Sequence, residues 1–138
     1  MKKQIAFCAT LTLLLLARPA PAADLHSGLM ERWYGALAVA EREEIAALLT
    51  ENATIELTDI GVTQTGTEFV ASIDEWADAI KGGSIRHRID ADSATTVSVT
   101  VCYTFTDNVM MTSESFVFAD RQIMSSIQKT VATNCDGF

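Results

Sequence analysis

The sequence predicts an α+β domain with its helices in the first half and an antiparallel meander in the second, and three observations carry that reading. Apolar residues recur at three- and four-residue steps from Leu25 to Leu37, and again from Phe69 to Ile80, the spacing of one helix face. From Val97 to Val131 the period changes to two. Helices come first and a long meander follows them instead of alternating with them, which separates this order from a parallel α/β fold.

The chain opens on a leader pattern. Met1-Lys2-Lys3 is basic, Ile5 to Ala17 is an apolar run short for a bilayer span, and Ala20-Pro21-Ala22 is a small-residue cleavage pattern. Cys8 lies inside the apolar run and not at its end, unlike a lipid-attachment cysteine. The expectation is a cleaved signal peptide over residues 1–22 and a single domain over 23–138, exported to the periplasm or beyond without a membrane anchor. Cleavage removes Lys2, Lys3 and Arg18, so Lys+Arg falls from 10 to 7 against 18 acids and the formal net charge moves from -8 to -11. Such an acidic domain repels phosphate backbones and anionic lipid, which argues against nucleic-acid binding. The remaining 116 residues suit one core.

The elements follow in order. Asp24 to Ala40 reads as a helix with Leu25, Leu29, Trp33, Leu37 and Ala40 on one face. A short second helix has Glu41, Glu43 and Glu44 near its start, where the helix dipole favours acids, and buries Ile45, Leu48 and Leu49. Ala53 to Leu57 is a strand, and Val62 to Thr65 is its short partner. Thr67 opens a third helix with Phe69, Ile73, Trp76, Ala77 and Ile80 inward, stopped by Gly82-Gly83. Ile85, His87, Ile89 and Ala91 then alternate with Arg86, Arg88 and Asp90 as a strand.

In the meander, Val97, Val99, Val101, Tyr103 and Phe105 form one face of a strand. Asp107-Asn108 turns the chain into a second strand with Met110, Thr112, Glu114, Phe116 and Phe118 inward. Asp120-Arg121 leads to a third, with Ile123, Ser125, Ile127, Lys129 and Val131 on one face. If both turns are two-residue hairpins, Glu114 stands between Val101 and Ile127, and Thr112 between Tyr103 and Lys129.

The runs Glu31 to Leu37, Glu44 to Leu49, Asn52 to Glu56 and Gly66 to Phe69 resemble the nuclear-transport-factor-two-like superfamily, which includes SnoaL-like cyclases, ketosteroid isomerases and scytalone-type dehydratases. The resemblance implies a cone: three N-terminal-half helices packed in the concave face of a curved mixed sheet, with an apolar cavity at the wide end. It also implies pairing of two copies through the outer sheet face. Beside the isomerases, the oxyanion-donating tyrosine falls on Trp33, the general base on Leu57, and the neutral acid on Glu114. Beside the dehydratases, the catalytic histidine falls on His87, while its partner aspartate has no counterpart at Leu37 or Ala38.

The candidate catalytic residues are therefore His87 and Glu114. By strand parity His87 faces inward, either as a core imidazole bonded to backbone or water or as a proton carrier. Glu114 is either an acid kept neutral by burial or the partner of Lys129 across the strand. Trp33, Tyr34, Asp59, Trp76 and Tyr103 are the candidate ligand-binding residues, as aromatic surface or polar tips around a pocket. Two cysteines and two distant histidines give no metal spacing, and no phosphate-binding glycine loop or nucleophile turn appears, so no metal and no cofactor is implied. Cys102 and Cys135 leave three outcomes: an intramolecular disulfide, two free thiols, or a bridge between chains. The function expected is binding of a small, mainly apolar molecule. The alternatives are a lyase or isomerase moving protons through His87 and Glu114, and a dimeric interaction module.

Overall fold

The computed structural model describes residues 25–138; the expected leader over residues 1–22 lies outside them. Helix α1 (Ser27–Val39) starts later than the apolar pattern suggests, leaving Leu25 exposed while Leu29, Trp33 and Leu37 are buried. Ala40, with a left-handed φ of 53°, ends it. Helix α2 (Arg42–Leu48) buries Ile45 and Leu48 and runs directly into strand β1 (Leu49–Leu57). After a 3-10 turn at Thr58–Ile60 comes β2 (Val62–Thr65).

The expected third helix is two segments, α3 (Gly66–Ala71) and α4 (Ile73–Ile80). The Thr65 hydroxyl accepts from the Glu68 N–H and the Glu68 carboxylate from the Thr65 N–H, a reciprocal cap that fixes where α3 begins. Between the segments, the Ser72 hydroxyl donates to the Phe69 carbonyl at 2.7 Å, a local bond that competes with helix continuation. Gly83 cannot be another residue here, because a Cβ would overlap the Thr104 carbonyl.

Strands β3 (Ser84–Asp92), β4 (Thr96–Thr104), β5 (Val109–Ala119) and β6 (Gln122–Ala132) complete a six-stranded sheet in the order β2-β1-β6-β5-β4-β3. Only β1 and β6 run parallel. The sheet is curved and unclosed, and the helices of the N-terminal half pack in its hollow around Trp33, Val99, Val101 and Phe116.

Several expected pairings are corrected. The β4–β5 connection spans Phe105 to Asn108, closed by a bond from the Phe105 N–H to the Asn108 carbonyl, so it is four residues and not two. Glu114 consequently lies opposite Val99 and Tyr103 opposite Met110. A shift of two keeps every side chain on its face. The Asp120-Arg121 turn forms as expected, between paired Ala119 and Gln122. Beyond it a bulge at Met124 shifts β6 by one residue, which turns the strand over. Ile127 is therefore exposed, Gln128 faces inward opposite Glu114, and Lys129 lies opposite Ser113 on the outer side, out of reach of Glu114. A second bulge, at Asp90, does the same to β3: Ala91 is exposed and Asp92 turns inward.

Cys102 lies on the outer face, as strand parity indicates, yet is buried, because the C-terminal tail folds back and Cys135 forms a disulfide with it. Phe138 completes the cover, with the Arg86 and Arg88 guanidinium groups 4.7 and 5.4 Å from its ring centre. The bridge joins residues 33 apart in sequence. Reduction, or Cys135→Ser, is expected to cost about 3–4 kcal/mol for a loop of this size, read as a lower denaturant midpoint that added reductant no longer changes in the variant.

Candidate functional site

Inside the cone, Glu114 is fully enclosed and receives three hydroxyl hydrogen bonds. Tyr34 of α1 donates at 2.7 Å, Tyr103 of β4 at 2.6 Å and Thr112 of β5 at 2.9 Å. All four residues are buried. Loss of solvent pushes the Glu114 pKa up, and the three donors, Tyr103 first, partly oppose that rise. The same burial, together with the adjacent carboxylate, holds both phenols well above their ordinary value.

His87 shares the concave side, but α1 roofs it. Its ring stacks on Tyr34 with centroids 4.6 Å apart, and its Nε2 lies 3.8 Å from Glu31. Desolvation lowers its pKa and Glu31 pulls the other way. Glu114 thus takes the hydroxyl of Tyr34 and His87 the face of its ring. Trp33 is likewise core, packed on Phe69 and Phe116.

An open space lies where α3 and α4 face β1 and β2. A cavity of about 400 Å³ is walled by Leu37, Leu57, Phe69, Ile73, Trp76 and Met110. Tyr103 contributes its ring, and Gln64, Ser72, Glu75, Ala79 and Gln128 complete the lining. The Trp76 indole N–H donates to the Leu37 carbonyl at 2.7 Å, tying α4 to α1. A recess of about 200 Å³ adjoins it, sharing Leu57, Met110 and Gln128 and ending at Asp59 and Thr130. Hydrogen bonds from the Thr130 side chain and backbone N–H hold the Asp59 carboxyl below its usual range.

Of the seven residues singled out from sequence, Trp76 and Tyr103 line the cavity and Asp59 the recess. His87, Glu114, Trp33 and Tyr34 lie behind the wall. The polar lining residues Gln64, Glu75 and Gln128 were not foreseen. Gln128 carries no local signal, because the Met124 bulge that turns it inward lies elsewhere on β6, whereas the alternation of Gln64 with Thr63 and Thr65 on β2 marks its face. Also unforeseen is a buried pair, His26 Nδ1 with Asp92 Oδ1 at 2.5 Å, its ring stacked on Phe118. Among the described residues no group of three or more His, Cys, Asp or Glu gathers as a metal site would require.

No protein-family model matches the chain, and no curated protein matches it. Solved structures do. A candidate ketosteroid isomerase from Kribbella flavida superposes with a TM-score of 0.67 at 18% identity, over 76% of each chain. IdmH from Streptomyces antibioticus, a candidate polyketide cyclase, gives 0.69 at 12% identity, over 77% of this chain and 91% of its own. This chain has the nuclear-transport-factor-two-like fold. A protein of that fold and of unknown function from Burkholderia xenovorans gives 0.68 at 11% identity, over 84% of this chain and 91% of its own.

Glu114→Ala is expected to cost about 3 kcal/mol or more, since it strands three buried hydroxyls, whereas Glu114→Gln keeps the volume and costs less. The folded state of the wild type binds the Glu114 proton more tightly than the unfolded chain does. Its stability should therefore fall, relative to Glu114→Gln, as pH rises from the ordinary glutamate value of 4.5 through the raised folded value. Denaturant unfolding of both proteins across that window measures the difference.

Proposed function

We propose that this domain binds a small, mainly apolar molecule in the cavity between α3, α4 and the β1–β2 end of the sheet. The observation that carries the reading is a 400 Å³ space whose wall is largely aliphatic and aromatic, with a few polar tips. The proton-transfer reading through His87 and Glu114 has less support, because neither residue lines that space and the Glu114 oxygens are occupied by hydroxyl donors. The disulfide supports export to an oxidising compartment, and with it the leader reading of residues 1–22.

Native mass spectrometry of the purified protein tests whether a molecule is retained, and thermal unfolding with added naphthalene tests the cavity directly. Naphthalene should raise the melting temperature in proportion to the logarithm of its concentration well above Kd. Ala79→Trp, which fills the cavity from its exposed side, should abolish that rise. An unchanged rise in the variant sinks the reading.

Pairing of two copies through the outer sheet face is supported by Met124, Ile127 and Val131, which leave an apolar strip exposed on β6. Sedimentation should then give a dimer in the wild type and a monomer in Ile127→Asp. A monomeric wild type would remove this assembly.

A further inference from the structure

The cavity's chemistry narrows what it can hold, on the premise that it is a binding site. Its lining contains no lysine, arginine or histidine, and its acidic side chain is Glu75. An anion entering it would lose its hydration with no cation to replace it. The Tyr103 hydroxyl is not available as a donor either, since it already donates to Glu114 at 2.6 Å.

Apart from Glu75, which is exposed to solvent, the open polar groups of the lining are two carboxamides. Gln64 on β2 stands opposite Ile55 and Gln128 on β6 stands opposite Leu57, so both flank β1 on its inner side. Two strand spacings across and two residues along β1 separate their backbone positions, roughly 12 Å in all. Among the described residues neither amide has a side-chain hydrogen bond, and both face the cavity. A carboxamide offers both donor and acceptor and carries no charge, which suits a carbonyl, ester or hydroxyl and gives no counter-charge to an ion.

We propose that the cavity selects neutral, oxygen-bearing hydrophobes, a ketone, ester or alcohol on an apolar frame, whose oxygen is held by the carboxamides of Gln64 and Gln128, and that it rejects carboxylates. This rests on the binding reading above and names its ligand class. The hydrogen bond supplies preference within that class, because the amides in an otherwise apolar wall are left without a partner when a pure hydrocarbon occupies it.

The test compares four probes on one frame: naphthalene, 2-acetylnaphthalene, 2-naphthoate and protonated 2-naphthylmethylamine, titrated by calorimetry into the wild type and into Gln64→Leu/Gln128→Leu. In the wild type the ketone should bind roughly three- to tenfold tighter than naphthalene, the net gain of one or two neutral hydrogen bonds, and 2-naphthoate at least about tenfold weaker than the ketone. The double variant should bind naphthalene as well as the wild type or better and lose the ketone preference. If it fails to fold, Gln64→Met and Gln128→Met singly, which keep length and remove the amide, should each reduce the preference. A preference that survives in the variants, or naphthoate or the ammonium probe binding as tightly as the ketone, overturns the assignment while leaving a binding cavity. Failure of all four probes to bind removes the cavity reading itself.

Discussion

A carboxyl group enclosed in an apolar cone is tolerable only if its oxygens are satisfied, and the way Glu114 is satisfied organises the interior. Its donors come from α1, β4 and β5, so one side chain joins the principal helix to the two central strands of the meander. A buried polar network of this kind specifies a single arrangement, because any other leaves a hydroxyl or a carboxyl without a partner. The rotation of α1 follows from it: with the Tyr34 hydroxyl held on Glu114, Trp33 turns onto Phe69 and Phe116, and the other side of the Tyr34 ring meets His87.

That packing divides the concave side in two. Toward β3, α1 fills the hollow and leaves His87 beneath a tyrosine. Toward β1 and β2, the chain breaks at Ser72 between α3, which packs on β1 and β2, and α4, which is tied to α1, and the cavity lies where the two helices meet the sheet. Tyr103 belongs to both halves, its hydroxyl in the network and its ring in the cavity wall. The network therefore supports the cavity wall from behind and reaches it through the Tyr103 ring.

The segregation of helix and strand periods and the inner faces of β4 and β5 were legible residue by residue, whereas the third helix begins at Gly66 under a Thr65–Glu68 cap and not at Thr67. Glu114 was legible as an inward carboxyl, since Met110, Thr112, Glu114, Phe116 and Phe118 share one parity in a strand without a bulge over Thr112 to Val117. Parity failed on β6 and on the end of β3. The Met124 bulge put Gln128 and not Ile127 inside, and the Asp90 bulge put Asp92 inside to meet His26. An extra residue in one strand depends on how the neighbouring strand must bend, and that neighbour is distant in sequence.

The sequence alone determined the class of fold and the identity of the buried acid, because both follow from local periodicity: a side chain's face is set by its own strand or helix as long as that element stays regular. Only the tertiary structure decided what the acid is for and where the empty space lies. Those depend on which hydroxyls arrive from other elements, on where a sheet bends, and on which part of its hollow a helix fills, and each is a relation between segments that no single segment carries.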